Sequence, residues 1–273
     1  MLRIDYASFG RVRRSTAALP AIAIALVVIA ARAEAPAPSP APSPARAPSP
    51  SQATCADDMR VVDHDYYDSI DRVCTDKRDG KHCFAYQPGS NRPRGDKRHL
   101  RFCMDAFEAP NQRGAKPLVM QSSVDAASWC RARSKRMCNE VEFESACEGA
   151  EMLPWSYGWA ADGEACNSHK AWRNFHAEVL YRGGDEAQRE LDRLWQGEAS
   201  GSRARCATKE GIYDLVGNVE EWVTSRASRR WVPVTLIGGF WSKPWTGCRG
   251  ANDAHEPTFR FYETGFRCCA DAR

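Results

Sequence analysis

Twelve cysteines are the most reactive residues in this 273-residue chain, and all of them lie between Cys55 and Cys269. Thiolates bind soft metals, attack electrophiles or cross-link, and spacing decides among these. Zinc wants close C-x-x-C pairs, which the chain lacks, and the adjacent Cys268 and Cys269 cannot easily chelate one ion together. An even count of scattered cysteines points instead to disulfides and an oxidising compartment. The six histidines, His64, His82, His99, His169, His176 and His255, show no pair at metal spacing. His255 and Glu256 are the most obvious polar pair for catalysis, with no third ligand beside them. Hard oxygens gather in Asp214-Leu215-Val216-Gly217-Asn218-Val219-Glu220-Glu221. Carboxylates beside loop carbonyls suit calcium, which takes six to eight such oxygens. The alternative is that Asp214 and Glu221 only satisfy turn amides near Trp222. Asn218 reads as a backbone partner in a glycine turn. Rings and cations interleave in Phe240, Trp241, Lys243, Trp245, Arg249, His255 and Arg260. They form a candidate surface for a peptide, a glycan or a protein partner. The competing reading is core packing, which suits Trp241 best and Trp245 least.

The ends say where this chemistry operates. Arg11, Arg13 and Arg14 precede an apolar stretch, Ala17 to Ala31, followed by Ala31-Arg32-Ala33 and Ala33-Glu34-Ala35. That order is an export signal over 1–33, cleaved after Ala33; an uncleaved anchor is the alternative. The apolar run is shorter than the roughly 20 residues that span a bilayer. Residues 34–54 are a Pro/Ala/Ser tract, extended and suited to a spacer. The chain carries +3, of which 1–33 supplies +4 from five arginines and one aspartate, leaving −1. A near-neutral domain without a basic run gives no case for nucleic acid. The expected location is exported: periplasmic, cell-surface or secreted, and not integral to the membrane once the signal is removed.

The elements that must position these groups are short. Residues 55–101 are polar, aspartate-rich and weakly periodic, and read as an irregular cysteine-containing lead-in. His99 to Glu108 alternates enough for a strand. Ser123 to Arg133 reads as a helix capped by Ser122 or Ser123. A second helix starts after Asn139, with Glu142 completing a capping box and Gly149 ending it. Asp185 to Trp195 suits a surface helix with Leu191 and Leu194 inward. From Cys206 onward, short apolar runs separated by Gly and Pro suggest strands and long loops. The fold class is α+β, with little regular structure and a need for cross-links.

Four blocks then line up in order. They are Phe102-Cys103-Met104-Asp105-Ala106-Phe107-Glu108, the stretch Lys135 to Glu144 (KRMCNEVEFE), Ile212 to Trp222 (IYDLVGNVEEW), and the closing set Gly238-Gly239-Phe240-Trp241, Cys248-Arg249 and Gly265-Phe266-Arg267-Cys268. Together they resemble the formylglycine-generating enzyme (sulfatase-modifying factor) family, from about Phe102 to Ala270. The resemblance implies that family's irregular α+β module, related to C-type lectin-like domains, over 102–273.

The resemblance also implies disulfides Cys130–Cys268 and Cys147–Cys248, tying two helices to the C-terminal segment. Cys166 and Cys206 bracket the variable insert and could pair across its base, and Cys74–Cys83 would close a local loop. Cys55, Cys103, Cys138 and Cys269 stay unassigned. By the same resemblance, Asp214 and Glu221 with the Gly217 and Val219 carbonyls would hold a structural calcium. Asn167 and Ser168 match the first ligands of a second calcium site whose downstream acidic partner is not visible. The family's oxidase holds copper with two cysteines between its G-G-S-W and C-R blocks. Here Gly239 to Gly247 contains no cysteine, Phe240 replaces the serine, and Glu220 replaces a pocket tryptophan. Copper-dependent formylglycine formation is therefore not expected. The reading favoured is a non-catalytic binding or accessory module of the cell envelope, with calcium as its cofactor. A metal-dependent oxidase acting on a protein or small molecule, and a structural envelope protein, stand as alternatives.

Overall fold

The computed structural model describes residues 54–226 and 232–273. The expected export signal and all of the Pro-rich tract except Thr54 lie outside the described residues. Among the described residues, no helix is long and apolar enough to cross a membrane.

Residues 55–101 are not the irregular lead-in that weak periodicity suggested. Strand β1 (Met59–Asp71) runs antiparallel to β4 (Arg92–Asp105), from Met59 opposite Asp105 to Asp71 opposite Arg92. The expected strand at His99 is only the inner end of β4. Hydrophobic alternation is faint because the ribbon's outer part is zipped by charge. Asp65 meets Lys97 at 2.6 Å, Asp71 meets Arg94 at 2.8 Å, and His99 lies 2.9 Å from Asp63. Such cross-strand pairs contribute about 0.2–1 kcal/mol each and carry no apolar signature. Only Met59, Val62 and Tyr66 of β1 turn into the core. Between the long strands, β2 (Cys74–Asp76) and β3 (Ala85–Tyr86) make a small hairpin.

Helix α1 (Ser123–Arg131) starts on a reciprocal box: Ser122 Oγ accepts from Asp125 N, and Asp125 accepts from Ser122 N. Ala126 and Cys130, four apart, face inward. Strand β5 (Arg136–Met137) leads into α2 (Glu140–Glu148). Asn139 Oδ1 accepts from Glu142 N at 2.8 Å, Glu142 accepts from Asn139 N at 2.9 Å, and Gly149 ends the helix at φ 60°. The insert carries α3 (Ala177–Arg182) and α4 (Gly184–Leu194), the latter burying Leu194 against Trp241 and Phe240. The C-terminal part supplies β6 (Glu220–Thr224), β7 (Val234–Ile237), β8 (Thr264–Gly265) and β9 (Cys268–Asp271). One sheet runs β1-β4-β9-β5. A second runs β7-β6-β8, with β6 and β8 parallel.

Six disulfides consume all twelve cysteines: Cys55–Cys103, Cys74–Cys83, Cys130–Cys268, Cys138–Cys269, Cys147–Cys248 and Cys166–Cys206. The adjacent Cys268 and Cys269 take different partners because neighbouring residues of a strand point to opposite faces. Cys268 joins the cluster around Cys130, Trp222 and Phe266. Cys269 joins the main core with Cys138, Phe143 and Trp155. One strand thereby staples α1 on one side and the start of α2 on the other.

Candidate functional site

The turn between Tyr213 and β6 is set by residues of positive φ. Asp214 and Asn218 both adopt positive φ (59° and 55°), as does Gly217 (76°). Asp and Asn tolerate that region better than most residues, and glycine tolerates it freely. At Gly217 the need is also steric, since a Cβ there would stand 2.4 Å from the carbonyl oxygen of Asn167. Three backbone bonds hold the turn: Gly217 N to Gly238 O, Asn218 N to Asn167 O, and Trp241 N to Asn218 O. None of them uses the carbonyls of Gly217 or Val219.

Charge in this turn is unbalanced. Glu221 accepts two bonds from Arg267, from Nε at 2.7 Å and Nη2 at 2.6 Å, and both side chains are 1% exposed. Arg267 also donates to Tyr213 O. Asp214 accepts from Gly201 N at 2.6 Å. Glu108, fully buried, accepts from Ser200 Oγ at 2.5 Å and Asn218 Nδ2 at 2.9 Å. Three carboxylates therefore share one guanidinium. Burial pushes the Asp214 carboxyl up to about 6, and burial plus the neighbouring Asp214 and Glu221 charges hold Glu108 well above the usual carboxylate range. Burial likewise raises Glu221, with Arg267 opposing it.

This donor set can be tested against a calcium ion. Among the described residues no three His, Cys, Asp or Glu side chains converge as ligands, so any ion here must use backbone oxygens too. Asp214 and the two carbonyls suit that role. Each carboxylate oxygen carries more than one acceptor site, so Glu221 can serve an ion while holding Arg267. The deficit of positive charge is in the right place. Asn167 packs on the same turn: its Nδ2 donates to Gln196 O and Asn218 Oδ1, while its buried Oδ1 has no partner among the described residues. That orphaned hard oxygen fits a cation ligand. Ser168 is buried beside it, with Oγ 2.9 Å from His169 Nδ1. The residues fit calcium.

The second candidate surface is rearranged relative to expectation. Phe240 and Trp241 are 2% and 1% exposed and belong to the core, not to a surface. They fill the space with Leu194, Tyr262 and Phe261. Arg249 is also withdrawn: it grips Glu148 at 2.7 and 2.8 Å and donates to Tyr67 O and Asp68 O. Trp245 stacks on His82 with centroids 4.7 Å apart. Lys243 clamps Glu220 at 2.8 and 3.1 Å while its Nζ lies 5.0 Å over the Phe240 ring. His255 stacks on Phe259, and Arg260 reaches Asp125 at 3.3 Å. These last two residues line an open recess of about 490 Å³ with Tyr181, Glu256 and Thr258.

Several participants escaped the sequence reading. Glu108 and Arg267 sat inside recognised blocks as charges in apolar stretches, and that mismatch was the available signal. Trp172, Phe175 and Tyr181 stand exposed, and Tyr181 lines the recess. They lay in the insert, where aromatic residues with no core period could have been noticed.

Comparison with known proteins follows the same outline. The sulfatase-modifying factor enzyme 1-like domain matches residues 57–272, a range that takes in β1 as well as the blocks from Phe102 onward. Among solved structures, the crystal structure of CarF superposes with a TM-score of 0.52 at 14% identity, covering 78% of this chain and 98% of that one. The structure of PvdO from Pseudomonas aeruginosa gives 0.48 at 17%, covering 82% and 100%. CarF supports the fold alone. The domain match spans nearly all of the described residues, and by it this chain belongs to the sulfatase-modifying factor enzyme 1-like domain family.

Proposed function

We propose that this protein is an exported, calcium-stabilised binding module of the cell envelope that has lost its family's copper oxidase chemistry. One observation carries the reading: all twelve cysteines are spent on six disulfides, so no thiolate pair is left to hold Cu(I). Two more support it. Phe240 and Trp241, in the interval that would carry the copper ligands, turn into the core instead. Glu220, where the family has a tryptophan, is engaged by Lys243. Asp214, Glu221 and the Gly217 and Val219 carbonyls would hold calcium, and Asn167 with Ser168 would contribute to a second site. The ion would supply the positive charge that Arg267 alone does not. Six disulfides suit an oxidising compartment, in keeping with export. The partner class is a peptide, a glycan or an envelope protein, met at the exposed rings beside the recess.

The test loads the oxidised protein with copper and offers a peptide containing C-x-P-x-R, with mass spectrometry for the aldehyde. No turnover is expected where an active family oxidase converts the same peptide. Turnover above the enzyme-free control would overturn the reading, and would require a disulfide to open.

A further inference from the structure

A buried polar atom without a partner asks for a physical reason, such as strain, a proton, an ion or a ligand. Among the described residues there are six such side-chain atoms. One is Glu263 Oε2, on a residue only 7% exposed, where burial and the Glu220 charge push the carboxyl up to about 8. Two others, Ser156 Oγ and Glu210 Oε2, belong to residues that line a single small recess of about 60 Å³.

Three anchored pieces of chain wall this recess. The C-terminal end of α2 brings Cys147, Glu148 and Gly149, and Cys147 is fixed by its disulfide to Cys248. Ser156 sits in a turn closed by Trp155 and Gly158, which exchange backbone bonds at 3.2 and 2.9 Å. Glu210 sits where Gly211 N donates to Thr208 O and Thr208 N donates to Ile212 O. Ala150 and Leu153 add apolar surface.

The other charges on the wall are matched. Glu148 is held by Arg72 and Arg249, and Glu151 by Lys209 at 2.5 Å. Lys209 is the cation among the lining residues, and that bond uses it. Glu210 Oε2 is left with neither donor nor counter-ion among the described residues. Burying a carboxylate oxygen in that state is unfavourable. Ser156 Oγ does not bond it, so a donor reaching both would satisfy the two together.

The chemistry of that donor follows from the wall. Two free oxygens fall short of the six to eight that calcium takes, and water alone brings no counter-charge. An ammonium brings three N–H donors and a positive charge, and its alkyl stem suits Ala150 and Leu153. The volume holds about two water-sized groups, enough for the ammonium and one methylene, with a longer chain leaving through the mouth.

We propose that this recess binds the tip of a primary alkylammonium, with Glu210 as counter-ion and Ser156 as second acceptor. The site shares no residue with the turn at Asp214 or with the recess at Tyr181, and it is independent of the loss of copper chemistry.

The experiment is saturation-transfer NMR on the intact, disulfide-bonded chain at about pH 7, where primary amines are protonated. One probe is methylammonium, which fits whole. The other is N-acetyl-lysine amide, which carries the same tip on a protein side chain. Methanol is the uncharged control of similar size, and tetramethylammonium is the charged control without N–H donors. Millimolar dissociation constants are expected for so few contacting atoms, with no binding of either control. Glu210→Gln keeps the shape and removes the charge, and should weaken binding about tenfold or more. Ser156→Ala should weaken it several-fold, and an unchanged melting temperature shows that each variant keeps the fold. Binding of methylammonium alone would identify a small free amine as the ligand, and binding of the lysine derivative alone a protein side chain. Either outcome supports the shared chemistry. Lys209→Ala should leave the affinity unchanged or raise it. Amine binding seen only in Lys209→Ala would show that the chain's own lysine fills the recess, and would overturn the proposal. So would silence from both amines at high millimolar concentration, equal binding of methanol or tetramethylammonium, or undiminished affinity in Glu210→Gln.

Discussion

Replacing Arg267 with methionine should be among the most damaging single changes available outside the disulfides. The guanidinium is 1% exposed and makes two bonds to Glu221, at 2.6 and 2.7 Å, and further bonds to the Tyr213 and Asp105 carbonyls. Methionine has similar length and packs well, so the perturbation is chiefly electrostatic. It strands Glu221, itself 1% exposed, beside the buried carboxyls of Asp214 and Glu108. Breaking one side of a buried pair costs about 3–5 kcal/mol, and the two unpaired carboxylates already present favour the upper end. Protonation offers partial relief. The stranded Glu221 carboxyl would rise further above its unfolded value of about 4.5, so its contribution is intact below that pH and lost as pH rises toward the folded value. The loss from Arg267→Met should therefore be larger at about pH 8 than at about pH 5. Urea unfolding with disulfides intact and a calcium chelator present measures this, the slope m serving as a check that the unfolded state is unchanged. Adding Glu221→Gln to Arg267→Met should recover part of the loss. A cost below about 1 kcal/mol, or an equal cost at both pH values, would refute the view that this pair anchors the turn.

Three further outcomes are expected. Chelation of calcium should lower the melting temperature by roughly 5–10 °C from a state about 100-fold above the dissociation constant, and Asp214→Ala should abolish that sensitivity. Insensitivity of the native protein, with no calcium binding by calorimetry, would leave only the turn-satisfying role. Gly217→Ala should destabilise by about 1–3 kcal/mol, because the new Cβ meets Asn167 O at 2.4 Å and φ is 76°; an unchanged denaturation midpoint would show that the turn relaxes. Glu263→Gln should leave stability unchanged at about pH 4 and raise it as pH climbs to about 8, since the raised carboxyl loses stability only across that interval. Parallel stability curves for the two proteins would contradict the carboxyl's buried, unpartnered setting.

What could be read from the linear chain was local or repeated. Helices α1 and α2 were legible because their signals sit within four residues: Ser122 with Asp125, Asn139 with Glu142, and Gly149 as the stop. The family was legible because four blocks recur in order, and an even set of cysteines announced cross-links. What only the tertiary structure decided depends on which distant groups share a desolvated space. Glu108 and Asn218 are 110 residues apart and Arg267 is 46 from Glu221, so no window of sequence contains the charge balance of the turn. The outer ribbon of β1 and β4 hid from periodicity because charge pairs, not apolar residues, face each other across it. Phe240 and Arg249 looked like surface groups by type. Burial is set by what packs against a residue, and Leu194, Trp241 and Tyr262 cover the first while Glu148 neutralises the second. Cys130–Cys268 was implied by the family blocks, but the partner of Cys269 was not: one residue of register turns its sulfur to the opposite face of β9, where Cys138 takes it.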